Sequence, residues 1–179
     1  MPRYVAFLRA INVGGRTVKM DPLARVFEEM GFAAVETYIA SGNVIFASRV
    51  KDAANIERTI EAALEKALGF ETATFVRTTT ELAAVAAREP FPRKRIDEAA
   101  AFNVGFLAAP LDPAVVSRLM ALRTDIDDFH VDPREFYWLC RRKQSESTFS
   151  NAVFEKRVGV KTTFRSLTTI RKLAAKYAR

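Results

Sequence analysis

This sequence predicts an α+β fold made of two successive β-α-β-β-α-β units closed by a final helix. Three observations carry that reading. Strand-length apolar runs alternate with stretches of helical periodicity along the whole chain. Helix start and stop residues fence the periodic stretches. The order strand, helix, strand, strand, helix, strand occurs twice, on either side of a Pro-rich connector.

The elements follow in order. "RYVAFLRAI" (Arg3 to Ile11) is apolar and of strand length, which predicts a buried strand. "MDPLARVFEEMG" predicts a helix with Asp21 as its cap, Pro22 at its first position and Gly31 as a left-handed stop. Leu23, Val26, Phe27 and Met30 share one face of it. "AVETYIA" and "NVIFAS" predict two strands joined in a tight hairpin around Ser41, Gly42 and Asn43. In "KDAANIERTIEAALEKALG", Asp52 opens a helix, Ile56, Ile60, Ala63, Leu64 and Leu68 line its inner face, and Gly69 stops it. "ETATFVRT" closes the first unit as a strand.

The segment from Thr79 predicts a helix ending before Pro90, then a basic connector through Arg95. Beyond it, "AFNVGFLA" predicts a strand and "LDPAVVSRLMALR" a helix opened by Asp-Pro. "DFHVDPREFYWLC" predicts a hairpin turning at Asp132, Pro133 and Arg134. "SNAVFEKRVG" predicts a helix, "VKTTF" an extended piece, and "SLTTIRKLAAKYA" the closing helix. Each half has the ferredoxin-like order, in which an antiparallel sheet carries two helices on one face. The expected divisions are residues 1–79, a helix and connector over 80–100, and 101–179. The strings "INVG" and "FNVG" fall at different places in the two halves, so they mark no internal repeat.

A chain of 179 residues with 49% apolar content suits a globular protein with a sizeable core. No stretch has the apolar length of a membrane span, and the early apolar run is broken by Arg9 and Asn12, unlike a signal peptide. Cys140 is the single cysteine, which excludes an internal disulfide and a cysteine-rich metal site and points to the cytoplasm. Net charge is +7, and its distribution is uneven. Arg134 to Arg179 holds 12 Lys and Arg against 3 Asp and Glu, whereas Met1 to Pro133 holds 16 against 18. Such a surplus points either to an anionic partner or to a solvated basic surface.

Two places draw attention as sites. The loop in "LRAINVGGRTVKM" has adjacent glycines but neither the dinucleotide G-x-G-x-x-G nor a Gly-Lys-Ser/Thr phosphate loop. Its amides beside Arg16 and Lys19 could form an anion-accepting nest, or the glycines could serve only a turn with positive φ. The candidate ligand-binding group is Asn12, Gly14, Gly15, Arg16 and Lys19, together with Ser41 and Asn43 of the hairpin. "CRRKQSESTFSN" is the second place: aromatic residues run into Arg141, Arg142 and Lys143, then into a hydroxyl-rich helix start containing Ser147 and Asn151. Basic groups beside helix-terminal amides suit phosphate or carboxylate. With Lys156, Lys161, Arg165 and Lys172, these form the candidate anion or nucleic-acid group.

Aromatics on a ferredoxin-like sheet can stack unpaired bases, but no RNP1-like pattern is present, and Trp138 reads as core or interface. His130, the only histidine, could meet Cys140 across the hairpin, but a buried Cys and a surface His are the simpler reading. No metal is expected, because His and Cys do not cluster and Asp125, Asp127 and Asp128 lack calcium-loop spacing. No cofactor is expected either.

The string "LRAINVGG…VKM…L…MGF…V.TYIASGNVIF", with "SESTFSNAVFEKRVGVKTTFRSLTTIRKLAA" later, resembles the bacterial family known as domain of unknown function 1697. The resemblance spans essentially the whole chain and implies two ferredoxin-like halves without implying an activity. Ala10 stands where that family usually has Gly, and "RSLTT" (Arg165 to Thr169) where it usually reads Arg-Asn-Trp-Asn-Thr.

Three functions are consistent with these residues. The first is binding of an anionic ligand, nucleic acid above all, through the basic C-terminal portion. The second is an enzyme or sensor of a phosphorylated or carboxylate-bearing small molecule, using the Asn-Val-Gly-Gly loop. The third is an interaction or oligomerisation module built on the aromatic hairpin.

Overall fold

A computed structural model describes residues 1–12 and 15–179. It contains two four-stranded antiparallel sheets with helices, an α+β architecture of two ferredoxin-like halves and a C-terminal helix. The first sheet comprises β1 (Arg3–Leu8), β2 (Ala33–Tyr38), β3 (Asn43–Ala47) and β4 (Thr74–Thr78), in the order β2-β3-β1-β4. The second comprises β5 (Ala101–Phe106), β6 (Asp127–Val131), β7 (Glu135–Cys140) and β8 (Thr163–Ser166), in the order β6-β7-β5-β8. Contacts divide the chain into one unit of Met1–Ala84 with Leu173–Arg179 and another of Val85–Lys172.

In the first unit, α1 (Met20–Glu29) and α2 (Ala53–Leu68) cover one sheet face. Leu23 and Phe27 of α1, and Ile56, Ile60 and Leu64 of α2, pack on Tyr4, Ala6, Leu8, Val44, Phe46 and Val76. The sequence periodicity therefore identifies the buried faces. Glu57 and Glu61, one turn apart on α2, accept the amides of Val76 and Thr74 at 2.8 and 2.9 Å. These carboxylates satisfy outward-facing N–H groups of the edge strand β4, which would otherwise be a template for pairing.

Several boundaries differ from the sequence expectation for identifiable reasons. The first strand ends at Leu8, not Ile11, because Ala10 takes φ 55° and turns the chain out of the sheet. Asp21 does not cap α1 and Pro22 is not its first residue: the helix begins at Met20, Lys19 occupies the cap position without a side-chain bond, and Asp21 sits in the first turn. There its charge still complements the helix dipole. Asp52 does cap α2, accepting the Ala54 amide at 3.1 Å. The first hairpin is wider than expected. Ile39 at φ 51° ends β2, leaving a connection of residues 39–42, and Asn43 is a strand residue opposite Tyr38.

Two further helices follow β4: α3 (Thr79–Ala87) and, within the expected connector, α4 (Arg93–Glu98). Ion pairs Arg93–Asp97 and Lys94–Glu98 at i,i+4 spacing support α4 at 3.2 and 3.9 Å. In the second unit, α5 (Pro113–Met120) and α6 (Asn151–Val158) accompany the sheet, and α7 (Leu167–Tyr177) closes the chain. Leu119, Phe129, Phe136, Trp138, Phe149, Phe154 and Val158 form the second unit's core cluster. Gly105 of β5 has no room for a side chain, since a Cβ there would fall 2.4 Å from the Phe136 ring.

Candidate functional site

Antiparallel register sets which loops share a sheet end. Phe7 pairs with Asn43 and Leu8 with Thr74, so the connection after β1, the β2–β3 hairpin and the approach to β4 all meet at one end of the first sheet. The two segments of the glycine-loop candidate therefore converge. Asn12 spans them, donating to the Ala40 carbonyl and accepting from the Val18 amide, both at 2.6 Å. Gly42 lies against this join: a Cβ would fall 2.7 Å from Ile11, and its φ is +82°. Asn43 is fully buried and donates to Tyr38 O and Ser41 Oγ, each at 2.9 Å. The Arg16 guanidinium stacks over Phe70 at 4.1 Å, and Lys19 is exposed at the start of α1. Gly15 is exposed with φ +81°, while Gly14 lies outside the described residues. The amide groups of Asn12 and Asn43 are thus committed to joining loops, and the Arg16 charge rests on an aromatic ring.

The C-terminal candidates spread over the second unit. Arg141, Arg142 and Lys143 are exposed just past β7. Lys156, in the last turn of α6, and Lys161 are exposed toward the opposite end of the sheet, where Thr163 pairs with Phe106. Lys172 is exposed on α7. Arg165 corrects the expectation of a surface phosphate contact. It is only 7% exposed and donates to Thr163 Oγ1 and Phe164 O at 2.8 Å. Burial pushes its guanidinium down to about 10. Ser147 and Asn151 hold the framework: Ser147 Oγ donates to Asp127 at 2.8 Å, and Asn151 Nδ2 to Thr162 O at 3.0 Å. Asp127 also accepts Trp138 Nε1 at 2.8 Å and Thr124 Oγ1 at 2.9 Å. Trp138 is fully buried, as are Phe136 and very nearly Tyr137, so these rings are core and present no stacking face.

At the other end of this sheet a cleft of about 380 Å³ opens. Register explains its composition, because β5 begins there opposite the end of β7 (Ala101 with Cys140) and the end of β8 (Asn103 with Ser166). Phe102 and Asn103, the last residues of α4, Gln144, and the first turn of α7 with Arg171 line it. Asn103 is 7% exposed and donates to Gln144 Oε1 at 3.3 Å. Neither Asn103 Oδ1 nor Gln144 Nε2 has another hydrogen-bond partner among the described residues. Ser166 Oγ accepts the Thr169 amide at 3.2 Å and so caps α7, whose first amides have no acceptor within the helix. Arg171, one turn on, forms no ion pair among the described residues, while the cleft's carboxylate, Asp97, is paired with Arg93. The result is a concave surface with an uncompensated cation, helix-start amides and one free acceptor and one free donor of a bonded amide pair, suited to an anion with a polar appendage.

Sequence reasoning missed Asn103, Gln144 and Arg171. The available signal was Asn103 itself, a polar residue inside an apolar strand. A second cleft, about 300 Å³, lies by the start of β6 and is lined by Arg95, Arg123 and Arg141 with three aspartates. Arg95 is paired there with Asp128 at 2.8 Å. His130 does not meet Cys140: it lies opposite Tyr137, and Cys140 lies opposite Asp127. Burial raises the Cys140 thiol, the reverse of what a nucleophile needs. Instead His130 Nε2 lies 3.0 Å from Asp132 Oδ1 and 3.1 Å from Arg88 Nη2.

Comparison with known proteins bears on fold and family. The chain belongs to the family described as protein of unknown function DUF1697, whose pattern matches residues 1–137. It is similar to the solved structure of a conserved bacterial protein from Streptococcus pneumoniae, with 22% identity and a TM-score of 0.79. That match covers 100% of this chain and 99% of the other, and at this identity it is a likeness of fold. No curated protein matches the sequence. No helix among the described residues is long and apolar enough to cross a membrane.

Proposed function

We propose that the protein binds a phosphate- or carboxylate-bearing ligand through its basic C-terminal portion, in the cleft at the start of α7. One observation carries the reading: Arg171, without an acidic partner among the described residues, lines the same cleft as the first turn of α7. Charge and helix-start amides there act in the same direction on an anion. Exposed Arg142 and Lys143, just past β7, add positive potential at this end. A phosphorylated small molecule and a nucleic-acid strand both supply the required group. The single cysteine fits a reducing, cytoplasmic setting.

The test is calorimetric titration with pyrophosphate, ribose 5-phosphate, a dicarboxylate and a short single-stranded oligonucleotide, at low and high salt. At least one small anion should bind, more weakly as salt rises. Arg171→Ala should cost about tenfold in affinity, the value of one charge-assisted hydrogen bond, and leave the melting temperature unchanged. Binding of the oligonucleotide alone, with a steep salt slope, would move the site to nucleic acid. No binding by any member, or undiminished binding by the variant, would overturn the reading.

A further inference from the structure

We infer that the ligand of this cleft is a nucleotide, its base read by the paired amides of Asn103 and Gln144 and its phosphate held by Arg171 and the start of α7. The inference rests on the anion-binding reading above and adds the nature of the ligand's other half. The bond from Asn103 Nδ2 to Gln144 Oε1 fixes the two amides side by side. It leaves one acceptor, Asn103 Oδ1, and one donor, Gln144 Nε2, unspent at the cleft. Turning both amides over exchanges the positions but still leaves one donor and one acceptor. An adjacent donor and acceptor is what the edge of a nucleobase offers, and Asn and Gln amides are the usual readers of adenine.

The surroundings fit the rest of such a ligand. Asn103 is more than nine-tenths buried as a residue, yet its Oδ1 is not among the buried unpaired atoms and so stays accessible, where a base edge can donate to it. Phe102, Ile96, Leu167 and three alanines supply apolar lining against which a flat ring can pack. Arg171 and the α7 amides belong to a separate part of the chain from the amide pair, so the cleft offers the two ends of a ligand different chemistry. A volume of about 380 Å³ is within the range of small-ligand sites.

The experiment titrates the full chain with the four ribonucleoside monophosphates, their nucleosides, and ribose 5-phosphate, and repeats the series with Gln144→Ala. Gln144 is exposed, so the variant should fold, and its melting temperature checks this. At least one nucleotide should bind about tenfold or more tightly than ribose 5-phosphate. Gln144→Ala should erase that advantage and leave ribose 5-phosphate affinity unchanged. If ribose 5-phosphate binds as well as every nucleotide, the nucleotide inference falls and the anion reading survives. If nucleosides match their nucleotides, the phosphate half is lost and the inference falls with it. If no nucleotide and no sugar phosphate binds, both readings fall.

Discussion

The two sheets have the same strand order and equivalent hydrogen bonds, yet they use their ends in opposite ways. The Leu8 amide donates to Gly42 O, and the Leu107 amide to Arg134 O, both at 2.9 Å, tying each first strand to its hairpin. Val5 faces Arg77 and Val104 faces Arg165, so even the two buried arginines occupy matching positions. In the first unit, the end after β1 is closed by its own polar groups: Asn12 and Asn43 are consumed in joining loops. In the second, the open cleft is at the opposite end, where β5 begins, and its amide pair and Arg171 remain unspent. The lesson is that the described residues of a conspicuous glycine-rich stretch serve a structural join, while unpaired polar groups collect where topology gathers residues distant in sequence.

The comparison breaks most readily at its polar anchors. Asp127→Ala should be the most damaging change, because buried Trp138 Nε1 and the Ser147 and Thr124 hydroxyls lose their acceptor together. Leaving three donors without their charged acceptor costs about 3–5 kcal/mol in sum, at about 1–3 kcal/mol per unsatisfied group with partial recovery by water, and a melting curve should fall by roughly ten degrees for a chain of this size. Asn12→Ala removes two bonds at a partly exposed loop and should cost about 1 kcal/mol. An equal loss from the two variants would show that the first unit's join is as deeply structural as the second unit's network.

Next in size are the two crowded glycines. Gly105→Ala drives a Cβ into the Phe136 and Phe164 rings within a filled core, which should cost about 1–3 kcal/mol. Gly42→Ala meets Ile11 and also forces a side chain onto positive φ, which alone costs about 1 kcal/mol. Denaturant melts of both variants should therefore show comparable losses from different causes. A second change, Ile11→Ala, removes the Cγ2 that the new Cβ would meet and, read in a double-mutant cycle, should relieve only Gly42→Ala. If it does not, the strain there is in the backbone and not in the contact.

The fold was legible in the sequence and the cleft was not, for physical reasons. Helical periodicity and strand-length apolar runs are local, so α2, α6 and the second hairpin follow from residues near one another. What failed locally was Ile39, whose apolar, β-branched side chain argues for strand while its backbone turns left-handed. α4 was missed because prolines dominate the segment, though Arg93–Asp97 and Lys94–Glu98 were a helical signal in plain sequence. The cleft is not local at all. Asn103 and Gln144 meet because β5 and β7 are antiparallel neighbours, and Arg171 joins them because β8 ends beside Asn103. Burial, which withdraws Arg165 and Trp138 from any surface role, likewise depends on the completed fold.

The smallest effect separates the two hairpins by pH. The first is held by uncharged groups, Asn43 Nδ2 donating to Tyr38 O and Ser41 Oγ. The second is held at its turn by Asp132, which faces Arg88 at 3.0 Å and His130 at 3.0 Å. Burial works to raise the Asp132 carboxyl, but hydrogen bonds and charge from Arg88 and His130 outweigh it and leave it below the usual value. A carboxyl lowered in the folded state adds stability that is present above its unfolded value and is lost as pH falls through the folded one. Amide exchange of the β6–β7 turn should therefore quicken as pH falls below about 4, the ordinary aspartate value, while the β2–β3 turn, after correction for intrinsic rates, stays constant. Asp132→Asn should quicken the β6–β7 turn at neutral pH and remove the acid step. An acid step retained in that variant would assign the effect to another carboxylate.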